Sequence, residues 1–195
     1  MLKKILLTAI ITSAFSLTAA CDYDRELILL LNEINQIIDT VPEAELSGRE
    51  VQIIRVVDGD TVIVNDQDKE EMIRLLLIDT PESIPPSKEK EYLGESSSDF
   101  AKVALNKGDT VTLEIGNPDR DAYGRLLGYI WVDDTNFNQL MIEEGFARVV
   151  NISEPNTKYL DEFIRAEEQA KEQKIGIWSV PGYVTENGFD MSAIE

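Results

Sequence analysis

Histidine is absent from these 195 residues, and cysteine occurs once. The first absence removes a Ser-His-Asp triad, a His-ligated zinc centre and a His acid–base pair. The second forbids an internal disulfide and a Cys-rich metal cluster. Positive charge is scarce too: 18 Lys and Arg stand against 37 Asp and Glu, for a formal net charge of −19. So acidic a chain lacks the broad positive field with which proteins usually gather nucleic acid. What remains for hydrolysis is carboxylates, hydroxyls, Lys, Arg, or a hard cation held through oxygen. The length suits one compact domain with short extensions, and a 43% hydrophobic content can supply an ordinary core.

Lys3 and Lys4 precede an apolar run from Ile5 to Leu17, which is shorter than the roughly 20 residues of a membrane-crossing helix. This order of charge, apolar stretch and small residues predicts an export signal over 1–20. Thr18-Ala19-Ala20-Cys21 resembles the lipobox of bacterial lipoproteins, which implies lipid attachment at Cys21. An ordinary signal peptide cut near Ala20 is the alternative. Either way the mature chain is expected outside the cytoplasm, anchored to the cell membrane or otherwise secreted. Residues 21–48 read as the lipid-attachment Cys, a stalk helix and a linker. Leu27, Leu30, Leu31, Ile34, Ile37 and Ile38 share one helical face, which packs as a stalk or, alternatively, meets a partner or a membrane surface.

Beyond residue 49 the periodicity changes. Strands are expected over 51–57, 61–65, 72–78, 110–115 and 127–132, and helices over 96–105, 137–144 and 159–174. Short strands followed by helices predict an α+β class: an OB-fold-like five-stranded Greek-key β-barrel with about three packed α-helices. The domain is assigned to 49–179. A tail, 180–195, contains Pro, Gly and two aromatic residues and receives no role.

Three segments carry the chemistry. The first is DGDT, Asp58 to Thr61; the second is RLLLIDTPE, Arg74 to Glu82; the third is DAYGR, Asp121 to Arg125. Pro81 drives Thr80 into an extended conformation and so aims its carbonyl. A carboxylate, a backbone carbonyl and a second carboxylate from the DGD turn can together hold a hard cation. Each residue alone has a plain structural reading, since Asp is common in turns and Arg in surface ion pairs. Their joint occurrence, in this order and at this spacing, favours a site.

In that order and spacing the segments resemble the staphylococcal nuclease (thermonuclease) family, over a stretch from about Val51 to Ser179. The resemblance implies that Asp60, Asp79 and the Thr80 carbonyl bind Ca²⁺. It implies that Glu82 acts as general base or orients the attacking water, and that Arg74 and Arg125 grip the scissile phosphate. Asp121, Tyr123 and Lys88 fall on positions the family uses to support the loop, contact phosphate and approach nucleic acid. The expected activity is Ca²⁺-dependent hydrolysis of phosphodiester bonds in DNA and RNA, leaving 3′-phosphate ends. No obligate protein partner is inferred, and the protein is expected to be a monomer. Fixed guanidiniums and a divalent cation suit this chemistry in any case, because negative charge builds on the phosphoryl oxygens.

Two departures stand out. Asn151 and Ser153 occupy positions where the family's archetype carries base-stacking aromatics, so nucleotide affinity is expected to be weaker. The acidity also works against encounter with a polyanion. Two other readings stay open: a non-catalytic nucleic-acid-binding module on the same barrel, and a surface adhesion or structural lipoprotein.

Overall fold

Five strands close on themselves to make the core of the molecule. The computed structural model describes residues 48–83 and 90–194. The expected signal, Cys21, the stalk helix and Lys88 lie outside the described residues.

Strands β1 (Arg49–Asp58), β2 (Thr61–Asp66) and β3 (Lys69–Leu75) form an antiparallel meander. Strand β5 (Thr110–Arg120) pairs antiparallel with β1 and with β6 (Leu126–Val132). A parallel pairing of β3 with β6, register Arg74↔Leu127, closes the barrel. This is the OB-like α+β architecture expected. Alternation puts Val51, Ile53, Val62, Val64, Ile73, Leu75, Leu113 and Ile130 inside, all nearly inaccessible. Burying each such side chain stabilises the fold by about 1.5–3 kcal/mol. Register shifts between Ile53 and Arg55, and again between Val56 and Asp58, bend β1 so that it ends on the DGD turn.

Three helices cover the barrel: α1 (Gly94–Ala104), α2 (Phe137–Glu143) and α3 (Leu160–Gln173). They contribute Ala101, Phe137, Met141, Ile142, Phe163 and Ala166 to the same core. Asn138, fully buried, fastens α2 to the barrel: its amide donates to the carbonyls of Leu76 and Gly128 and accepts from the Ile130 amide. Gly176, at φ +53°, follows α3, and a Cβ there would lie 1.9 Å from the Gly145 carbonyl oxygen. Only glycine fits that crossing.

The apolar run expected as one strand over 72–78 is two. Leu77 takes φ +64°, and the chain turns into a short strand β4 (Ile78–Asp79) that pairs with β8 (Arg148–Val149). The polar stretch expected to separate two strands after residue 115 belongs instead to β5, which runs to Arg120. The cause is a fork: Arg120 donates from Nη1 and Nη2 to the two oxygens of Glu71 on β3, each at 2.9 Å, and Lys69 joins the same carboxylate.

These donors, Arg120 first and Lys69 second, hold the Glu71 carboxyl at about 2, well below its ordinary 4.5. A depressed folded value means stability present above pH 4.5 and lost as pH falls toward 2. A Glu71→Gln protein is therefore expected to melt below the wild type at neutral pH. The gap should narrow steadily below pH 4.5 in thermal melts; a gap that stays constant down to pH 3 would refute this.

The tail also folds. Strands β9 (Val184–Thr185) and β10 (Gly188–Phe189) form a hairpin, and Tyr183 beside it is completely buried. The tail and the domain thus belong to one compact unit, Leu46–Glu195.

Candidate active site

The DGD turn joins β1 to β2 beneath the loop that follows β4. Asp60, at its end, is buried. Its Oδ1 accepts from the Thr61 hydroxyl at 2.9 Å, and its Oδ2 accepts from the Thr80 amide at 3.2 Å. Asp58 accepts from the Gly59 amide at 2.8 Å and from the Ser83 amide at 3.3 Å. The two aspartates therefore hold the Thr80–Ser83 loop at both ends, with Glu82 between.

Arg74, next to last in β3, points its guanidinium at the same place. Nη1 lies 3.0 Å from Asp60 Oδ2 and donates to the Ile78 carbonyl at 2.9 Å, while Nη2 lies 3.5 Å from Asp79 Oδ1. With 14% of its side chain exposed, Arg74 is fixed by three residues, Asp60, Ile78 and Asp79. Asp60, Arg74, Asp79 and Thr80 thus come together.

Glu82 is held by its backbone. Its amide donates to Glu91 Oε2 at 2.8 Å, and its carbonyl accepts from the Glu91 amide at 3.1 Å. Although the residue is exposed overall, its carboxyl end is partly removed from water and lies near Asp58. Lost hydration first, then the nearby Asp58 carboxyl and the charges of Asp60 and Glu91, push it up to about 7. Burial likewise pushes the Asp60 carboxyl up, with Arg74 opposing.

Arg125 arrives by a different route. In the closing ladder Ile73 faces Leu126 and Arg74 faces Leu127, and Arg125 immediately precedes β6 at that end of the ladder. Asp121 positions it, accepting from the Tyr123 and Arg125 amides at 2.9 Å each and from Arg125 Nε at 2.7 Å. Lost water raises the Asp121 carboxyl, but the Arg125 and Tyr123 donors outweigh this and leave it lowered. The Tyr123 ring is 86% exposed, 5.7 Å from the Arg125 guanidinium carbon, open for contact with a ligand.

Sequence reasoning missed three partners. Asp58, part of the first segment but given no role, accepts from the Ser83 amide beside Glu82; Glu91 orients the Glu82 backbone; Arg148 clamps Asp79, with Nε and Nη2 both 2.9 Å from Oδ2. Of these, only Asp58 carried a signal, its place in the motif.

A calcium ion fits the donor chemistry. The donors are hard oxygens: two carboxylates and a carbonyl. Burial disfavours the Asp60 charge beyond what Arg74 offsets, and the charge of Asp79 adds to this, so a cation beside it would be stabilising. Among the described residues no three His, Cys, Asp or Glu side chains form a cluster that could hold a metal ion. Close by, the hydroxyls of Thr80, Ser83 and Ser97 are buried without a partner among the described residues.

Gly59 keeps this layer closed. A Cβ there would lie 2.2 Å from Ser97 Oγ and 2.8 Å from Thr80 Oγ1. Gly59→Ala is expected to cost about 1–3 kcal/mol of stability and to displace Asp58 and Asp60, lowering activity with it. Adding Ser97→Ala should restore part of both. Denaturant melts alongside assays check this, and a Gly59→Ala protein matching the wild type in both would contradict it.

Several nucleases are similar to this chain in sequence. An SPbeta prophage-derived endonuclease of Bacillus subtilis is 44% identical over 142 residues, which cover 72% of this chain and 48% of the relative. A second Bacillus subtilis endonuclease, YncB, is 43% identical over 141 residues, covering 72% of this chain and 66% of the relative. The chain thus spans about half the length of the first relative and just under two thirds of the second. The thermonuclease of Staphylococcus hyicus is 38% identical over 128 residues, 66% of this chain and 75% of the relative. The family described as staphylococcal nuclease homologue matches residues 72–180. The chain therefore belongs to the staphylococcal nuclease family.

Proposed function

We propose that the protein is an extracytoplasmic, Ca²⁺-dependent nuclease that hydrolyses phosphodiester bonds in DNA and RNA and leaves 3′-phosphate ends. Cys21 is the proposed lipid anchor to the membrane. The observation that carries the reading is the convergence of Asp60, Arg74, Asp79 and Thr80 beside the Glu82 loop. Nuclease relatives and the family match support it.

Asp60, Asp79 and the Thr80 carbonyl would hold the calcium ion, which supplies positive charge opposite the phosphoryl oxygens and makes nearby water more acidic. Glu82 takes the proton of the attacking water, whose oxygen bonds to phosphorus as the bond to the 5′-oxygen breaks. The departing oxygen collects its proton from solvent. Arg74 and Arg125 face the phosphoryl oxygens as charge accumulates there, each able to fork onto two of them. Asp121 keeps the Arg125 fork aimed, and Asp58 and Glu91 keep Glu82 in place.

The test is incubation of the purified protein with denatured DNA, with calcium or with chelator. Acid-soluble fragments should form with calcium and cease with chelator. A gel shift without cleavage in either condition would replace this reading with that of a binding module. Such a module would have no need to retain Glu82 and both arginines.

A further inference from the structure

We infer that Arg148 is a positioning residue that turns the Asp79 carboxylate toward the site, and that the C-terminal hairpin locks Arg148 in that role. The inference rests on the nuclease reading above. Asp79 and Arg148 face each other across the β4–β8 ladder. Both guanidinium contacts, from Nε and Nη2, fall on Oδ2. Oδ1 is left toward Arg74, 3.5 Å away. One oxygen is thereby anchored and the other presented to the pocket where the cation and phosphate would lie.

The third corner of the Arg148 guanidinium belongs to the tail. Nη1 donates to the Thr185 carbonyl at 2.6 Å and to that of Glu186 at 3.4 Å, and the guanidinium carbon lies 5.4 Å from the centre of the Phe189 ring. The side chain is 13% exposed. The hairpin is itself seated on the other flank of the site. The buried Tyr183 hydroxyl donates to the Tyr92 carbonyl, and the Tyr92 amide donates to Met191 Sδ at 3.3 Å. Tyr92 follows Glu91, the residue that holds Glu82. The tail therefore grips both sides: Arg148 and Asp79 on one, Glu91 and Glu82 on the other.

Positioning and simple charge make opposite forecasts. If Arg148 acted only through its charge, removing it would tighten a cation at Asp79, because a nearby like charge would be gone. If it turns Asp79, its removal lets the carboxylate swing onto Arg74. That withdraws a ligand from the cation and a guanidinium from the phosphate. Partners behind a metal ligand typically matter about 10–100-fold in affinity or activity.

The experiment uses the full-length protein. Calcium affinity is measured by calorimetry, kcat and KM on denatured DNA, and stability by thermal melts. Arg148→Met is expected to weaken calcium binding about tenfold and to lower kcat about 10–100-fold, with KM moved much less. Arg148→Lys should recover part of both. Phe189→Ala, which leaves Arg148 in place but unstacks it, should shift both constants the same way by about two- to fivefold. As a control, Tyr159→Phe removes the hydrogen bond to Glu114 and should lower the melting temperature while moving neither constant. Calcium binding as tight as or tighter than wild type in Arg148→Met, with kcat within about twofold, overturns the inference. If Arg148→Met does not fold, Phe189→Ala decides, and unchanged constants there overturn it equally. A wild type that neither binds calcium nor cleaves DNA is a different result and sinks the nuclease reading itself.

Discussion

Replacing Glu82 with Gln is expected to lower kcat by about two to four orders of magnitude, the range assigned to a positioned proton acceptor. The change keeps the size and shape of the side chain, and the residue is anchored by its backbone to Glu91, so the fold should survive. The rate loss then isolates proton transfer. Incomplete hydration and the neighbouring charges of Asp58, Asp60 and Glu91 raise its proton affinity above that of a solvated glutamate, which suits a proton acceptor. An ordinary glutamate near 4.3 would be a far weaker base. Steady-state kinetics on denatured DNA check the effect. Cleavage within tenfold of wild type would remove Glu82 from the mechanism.

Arg125→Ala should cost about 10²–10³ in kcat, the usual result of deleting one fixed donor facing developing charge. KM should move less, because most phosphate contacts along a strand lie elsewhere. Arg125→Lys is expected to recover little. Arg125 spends Nε on Asp121 at 2.7 Å and keeps its other two nitrogens for substrate, whereas a lysine has a single nitrogen for both duties. A lysine protein with wild-type kcat would show that only charge is needed here. Arg125→Ala with a large KM increase and unchanged kcat would make the residue a binding group only.

The site was legible where chemistry constrains residue type over short spans. DGDT and DAYGR each fit inside one turn, and RLLLIDTPE inside nine consecutive residues, so order and spacing alone announced them. What escaped notice was long-range. Arg148 and Asp79 are 69 positions apart, and the Arg120–Glu71 fork that prolongs β5 spans 49. No local pattern registers such contacts. The break at Leu77 was hidden for another reason: leucine seldom takes a positive φ, and an unbroken apolar run looks like a single strand when both faces are covered. The tail hairpin was invisible because its main anchor, Tyr183, is one aromatic residue in a polar stretch.

The barrel's closing seam consists of three residue pairs, Ile73↔Leu126, Arg74↔Leu127 and Leu75↔Gly128. Arg74 lies on one strand of it and Arg125 just before the other, so the proposed phosphate grip would exist only while these few ladder bonds are zipped. Short ladders open more readily than whole domains unfold. On the proposed function, catalytic competence would therefore measure the integrity of a single seam, and partial fraying there would silence it with the helices still intact.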